Sequence, residues 1–95
     1  EQQSIGIWGQ RHARYLKQYH KVQYYNLMTS GKLNSYLADI DEQAEEMFSR
    51  LVKQMAEKQG ISEKLKATDQ MMWVGRINAV RNAVMEIVNK ELIYI

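Results

Sequence analysis

The clearest pattern along the chain is an apolar seam in its middle. Leu33, Leu37, Ile40, Ala44, Met47, Leu51 and Met55 follow one another at steps of three or four. That spacing keeps them on one face of a helix, and Phe48 and Val52 widen the stripe. Asp39, Glu42, Glu46 and Lys53 fall away from it. The seam predicts a helix over about 32–59. Gly60 supplies the left-handed turn that ends it, and Ile61 is placed to fold back as the apolar partner of such a C-cap.

A second seam runs through Trp73, Ile77, Val80, Val84 and Ile87. It predicts a helix over about 69–92, preceded by a short turn at 62–67. Ser62 and Thr68 both offer hydroxyls that could accept the free N–H groups of a first turn. Asp69 is best kept at the start of this helix, because further in it would fall on the seam as a buried unpaired carboxylate. The first segment, about 7–30, is less regular. Trp8, His12, Tyr15, Leu16, Tyr19 and Val22 share one face, and Arg11, Arg14, Lys17 and Lys21 share the opposite one. After Val22 the register fails: Tyr24, Tyr25, Leu27 and Met28 point around the whole circumference. This end of the helix is either wrapped on several sides or kinked near His20. Ser30 and Gly31 turn the chain into the next helix.

No segment alternates with the period of a strand, and no proline interrupts a helix. Short connections at Gly31 and Gly60 make sequential helices antiparallel neighbours. The expected fold is therefore all-α: a single domain over 1–95, folded as an antiparallel three-helix up-down-up bundle with long helices. Helices of about 24 residues would be roughly 36 Å long. Three such rods around a thin core leave apolar surface at their ends, which predicts a homodimer.

Composition narrows the setting. With 45% hydrophobic residues the 95-residue chain can fold, and with no cysteine it has neither disulfides nor thiolate metal sites. That fits a cytoplasmic protein. No apolar run is long enough to span a membrane. The chain opens on Glu1 without an initiator methionine, which predicts that a short N-terminal segment of the full-length protein is missing. The net charge of +2 is too small to imply nucleic acid by itself, but the charge is unevenly placed. Residues 1–38 carry Arg11, Arg14, Lys17, Lys21 and Lys32 against Glu1 alone. Residues 39–63 carry seven acids against Arg50, Lys53 and Lys58. The two blocks could attract one another within or between chains.

Residues that could carry chemistry lack their partners. His12 and His20 have no second ligand at helical spacing, since Leu16 and Tyr24 stand four residues on. His12 lies on the apolar face and reads as a core histidine satisfied by a neighbour. Glu42, Glu45 and Glu46 read as a solvated face rather than an acid–base pair. No glycine-rich phosphate loop or nucleophile elbow occurs. The expectation is a non-enzymatic protein with no metal and no cofactor. Two surfaces remain as candidates. The basic stripe Arg11, Arg14, Lys17 and Lys21 could follow phosphates, or pair with the acidic face of a partner chain. The stripe Asn78, Arg81, Asn82 and Asn89 could read base edges in a major groove, or be plain surface. No typical helix-turn-helix accompanies it.

Several stretches resemble the transposon-encoded TnpV family. They are Ile7-Trp8-Gly9-Gln10-Arg11-His12, the long run from Leu27-Met28-Thr29-Ser30-Gly31-Lys32 through Leu37-Ala38-Asp39-Ile40-Asp41, Trp73-Val74-Gly75-Arg76-Ile77-Asn78, and the ending Glu86 to Tyr94. Ala79 stands where the family pattern leads one to expect a further asparagine. The resemblance implies a small accessory protein of bacterial transposons or conjugative elements. It implies no catalytic residues. By association it implies either a protein partner from the same element or DNA as the thing bound. The winged fold of known excisionases would need a hairpin of strands, which the sequence does not offer.

Overall fold

A computed structural model describes residues 4–95, and among these the secondary structure is helical throughout, with no strand. The elements are α1 (Ile7–Tyr19), α2 (Lys21–Thr29), α3 (Leu33–Lys58), α4 (Glu63–Thr68) and α5 (Gln70–Val88), followed by a π-helical turn at Asn89–Ile93. The protein is all-α. Where periodicity gave three long helices, the described residues form five and end in a wider turn.

The break in the first expected helix falls at His20, whose φ of −135° and ψ of 57° leave the helical region. Of the two readings of this stretch, the kink is the one the backbone adopts. His20 still donates its N–H to the carbonyl of Leu16 at 2.8 Å, so α1 closes normally before the chain turns. Helix α2 then has no buried residue at all.

Both glycine turns are Schellman caps. Gly60 has φ +72°, and the N–H of Ile61 reaches back to the carbonyl of Ala56 at 2.8 Å. Ile61 is buried, as the apolar partner of the cap. Gly31 has φ +76°, with Lys32 N–H bonded to Leu27 at 3.0 Å. The expected turn at 62–67 is a one-and-a-half-turn helix, α4. Ser62 caps it by accepting from Leu65 N–H at 3.2 Å. Asp69 caps α5 by accepting from Met72 N–H at 3.1 Å. Thr68 caps neither; its hydroxyl donates back to the carbonyl of Lys64.

The 26-residue α3 is the spine. Trp8 meets Phe48 and His12 meets Tyr36, so α1 runs against α3 along the stretch from Tyr36 to Phe48. Trp73 and Ile77 sit beside Val52 and Ala56, and Leu92 beside Met47, so α5 also runs against α3. The core joins Trp8, Ala44, Phe48, Ile61, Val80, Val84, Val88 and Ile93. The molecule measures 54 × 27 × 18 Å, and so slender a body buries few side chains completely.

The second seam departs from expectation at its end. Ile87 is 40% exposed, whereas Val88 and Ile93 are fully buried. Val88 follows Val80 and Val84 at regular steps of four within α5, and Ile93 is then carried inward by the π-turn, in which Tyr94 N–H bonds to the Asn89 carbonyl at 2.8 Å. One extra residue per turn lets the apolar step run from 88 to 93 instead of through 91. Among the described residues no helix is long and apolar enough to cross a membrane.

Candidate interaction surfaces

Helix α1 begins at Gly6, which has no side chain to cap it. The cap comes from α3: Asp41 accepts from the backbone N–H of Gly9 at 3.0 Å. A carboxylate is favourable there because the first N–H groups of a helix lack partners and carry partial positive charge. Trp8 fixes the same approach by donating its indole N–H to Glu45 at 3.0 Å. A Cβ on Gly9 would lie 2.9 Å from the Leu37 carbonyl oxygen, so the two helices touch here backbone to backbone.

One turn further on, His12 is 1% exposed. Its Nδ1 lies 2.7 Å from the carbonyl of Ile93, and its Nε2 lies 3.0 Å from the Tyr36 hydroxyl. A carbonyl can only accept, so Nδ1 carries the proton and Tyr36 donates to Nε2. The neutral ring is satisfied on both sides, in keeping with a core histidine. Burial pushes the His12 pKa below 6.5; the bond to Ile93 opposes this, and the nearby charge of His20 adds to it. Tyr15 stacks on His12 and meets the edge of Tyr94, so α1 and the C-terminal turn share an aromatic seam.

The basic stripe is divided. Arg11 is drawn inward: its guanidinium donates to Asn89 Oδ1 at 2.9 Å and lies 5.2 Å from the Trp8 ring. Arg14 and Lys17 are exposed on the outer side of α1, and Lys21 is exposed beyond the break, as the first residue of α2. None of these three joins an ion pair among the described residues.

The asparagine stripe is divided by the same bond. Asn89 is half-buried in the π-turn and holds Arg11. Arg81 lies over Phe48, 5.0 Å from the ring centre. Asn78 and Asn82 stay exposed one turn apart on α5. Sequence spacing could not show that Arg11 and Asn89, 78 residues apart, would meet. It also missed Asp41 and Tyr36, whose roles depend on contacts between helices; the one local signal was a glycine in the first turn of α1.

The acidic residues take separate parts. Glu45 is committed to Trp8, and Glu46 pairs with Arg50 at 3.1 Å. Glu42 and Glu46 line a shallow hollow with Asp39 and Leu92. Among the described residues no three His, Asp or Glu side chains converge as metal ligands would. A further hollow, of about 970 Å³, opens at the elbow between α1 and α2.

Large apolar side chains are exposed in two groups, besides Ile7, Tyr19, Ile87, Tyr94 and Ile95. On α2 these are Val22 (76%), Tyr25 and Met28; at the start of α5 they are Met71 (88%), Met72 and Val74.

The family model for transposon-encoded protein TnpV matches residues 1–93, and the chain belongs to that family. No curated protein and no solved structure matches it.

Proposed function

We propose that this chain is a non-enzymatic, cytoplasmic accessory protein of a transposon or conjugative element, acting through protein–protein interaction as a helical homodimer. The observation that carries this is the exposed apolar surface of α2 and of the first turns of α5. Helix α2 buries none of its residues, yet offers Val22, Tyr25 and Met28 outward. Such surface on a slender protein is stabilised by being covered. Light scattering should give twice the 11.2 kDa chain mass. A monomer alone at high concentration would overturn the dimer. Capture of another protein of the same element by the wild-type chain, lost in a Val22→Asp/Tyr25→Asp variant, would identify the surface used.

A second reading is favoured by the three exposed cations Arg14, Lys17 and Lys21, which have no ion-pair partner among the described residues. Here the protein is a DNA-binding regulator of transposition or excision. The cations follow phosphates, and Asn78 and Asn82 face a groove. Three contacts on a duplex give a log–log salt slope of roughly −2.7. Arg11 and Asn89 drop out of this reading, and the expected slope falls with them. No mobility shift of element-derived duplex at low salt would end it.

A further inference from the structure

We propose that the two exposed apolar groups cover each other between copies of this chain. The copies pair antiparallel about a twofold axis, with the start of α5 of each seated on α2 and the α1–α2 elbow of the other. The inference rests on the homodimer reading and adds which surfaces meet.

The two groups lie at opposite ends of the spine. Helix α2 runs into α3 through the Gly31 turn, and Met28 shares a shallow hollow with Leu33 and Leu37. Trp73 and Ile77 lie instead beside Val52 and Ala56, so Met71, Met72 and Val74 belong to the other end. From Leu33 to Ala56 the helix rises roughly 35 Å. The α2 of one chain therefore cannot cover its own α5 group.

Both groups are carried on one side of α3. The residues that α3 buries are Leu37, Ala44 and Phe48, whereas Asp39, Glu42, Glu46 and Arg50 on its opposite face stay exposed. That charged face is the back of the molecule, and α2 and α5 both lie in front of it.

Size and symmetry then choose the pairing. Three large side chains are too few for a stable interface, which takes about 800 Å² and roughly 20–30 residues from each partner. Pairing α2 with α2, or α5 with α5, would use one end of the rod and leave the other bare. Antiparallel pairing uses both ends at once, and the twofold repeats the same contact and closes it.

The contact also has a knob and a recess. Met71 is 88% exposed, more than any other large apolar side chain among the described residues. The elbow hollow is lined by Tyr19, Val22 and Leu27 among others, and Val22 is shared with the exposed face of α2. An unbranched methionine adapts to such an irregular recess. Charge does not oppose the contact: residues 70–75 carry none, and α2 carries Lys21 alone.

The chain has no cysteine, so introduced thiols report on this contact alone. Val22→Cys and Met71→Cys chains, mixed one to one and treated with a short bismaleimide, should give a crosslinked species of twice the 11.2 kDa chain mass. Either variant alone should give no more of it than it gives in denaturant. A chain carrying both substitutions should stop at the dimer. Met71→Asp should lower the mass in light scattering to that of the monomer, with the circular dichroism spectrum unchanged because the side chain is exposed. A wild-type monomer at high concentration overturns the homodimer and this pairing with it. A dimer that crosslinks through Val22→Cys alone or Met71→Cys alone, or through no combination, overturns the pairing and leaves the homodimer standing. A ladder above the dimer from the doubly substituted chain overturns the closed twofold in favour of a head-to-tail contact. A Met71→Asp chain that stays dimeric but no longer captures another protein of the element reassigns the α5 group to that partner.

Discussion

Asp41 of α3 caps the N-terminus of α1 through the backbone N–H of Gly9, at 3.0 Å. The pair couples two helices at their closest approach, and Trp8 and Glu45 add a second bond beside it.

This contact makes two glycines respond with opposite signs. Alanine favours a helix over glycine by about 1 kcal/mol. At Gly9 the new methyl would meet the Ile5 side chain, which can move, and the Leu37 carbonyl, which belongs to a helix and cannot move freely. Gly9→Ala should therefore destabilise the protein by about 1–3 kcal/mol, the usual cost of overpacking. At Gly75, in the middle of α5, nothing lies within 4 Å. Gly75→Ala should stabilise by about 0.5–1 kcal/mol. Asp41→Ala should cost about 1 kcal/mol, as a lost cap does. Urea unfolding of the three variants checks the signs, and a neutral or stabilising Gly9→Ala would count against the close approach.

His12 makes stability depend on pH. Its folded pKa lies below 6.5, chiefly because the ring is buried. The unfolded state then binds more protons than the native state between the two values, so stability rises with pH through that window. Above about 6.5, the unfolded value, the histidine imposes no penalty. As pH falls from there towards the folded pKa, stability is lost, and the loss is complete below it. Among the described residues, those that bond to His12, stack on it or shift its pKa are Tyr15, Tyr36, His20 and the Ile93 carbonyl, and none is a carboxylate. We expect the melting temperature to fall between pH 7.5 and 5.5. His12→Asn keeps a donor for the Ile93 carbonyl and should flatten that profile, even if the variant is less stable throughout. An equally steep profile in His12→Asn would show that another group titrates.

Local features of this fold were legible in the sequence and long-range ones were not. The seam from Leu33 to Met55 and the Gly60 turn with Ile61 folded back depend on residues within a turn or two of one another. Periodicity and cap chemistry therefore reach them. The break at His20 has no proline or glycine to announce it. Beside it the Tyr15 ring lies 5.4 Å from Tyr19 and 5.3 Å from His20 between ring centres, contacts no pattern announces, and the sequence left the break as one of two alternatives. The candidate faces suffered more. A helical projection places Arg11 beside Arg14 and Asn89 in line with Asn82, but it cannot show that Arg11 and Asn89 bond each other and leave both faces.

The last apolar step of α5 is the sharpest place to test the π-turn. A regular 3.6-residue period continues the seam Trp73, Ile77, Val80, Val84 into Ile87, and then towards Glu91. The observed backbone instead buries Val88 and Ile93, five residues apart, and leaves Ile87 40% exposed. Two isoleucines near the same end of the chain should therefore behave differently when cut to alanine. Ile93 is fully buried and packs in the core with Val84 and Val88. Its side chain should be worth about 2–5 kcal/mol, the range for emptying such a site. Ile87→Ala removes a partly solvated side chain and gains helix propensity, so it should fall within about 1 kcal/mol of the parent. Thermal melts separate the two clearly, since each kcal/mol shifts the midpoint by about 4–8 °C in a chain of this size. A large loss at Ile87 with little at Ile93 would restore the regular helix and remove the π-turn from the fold.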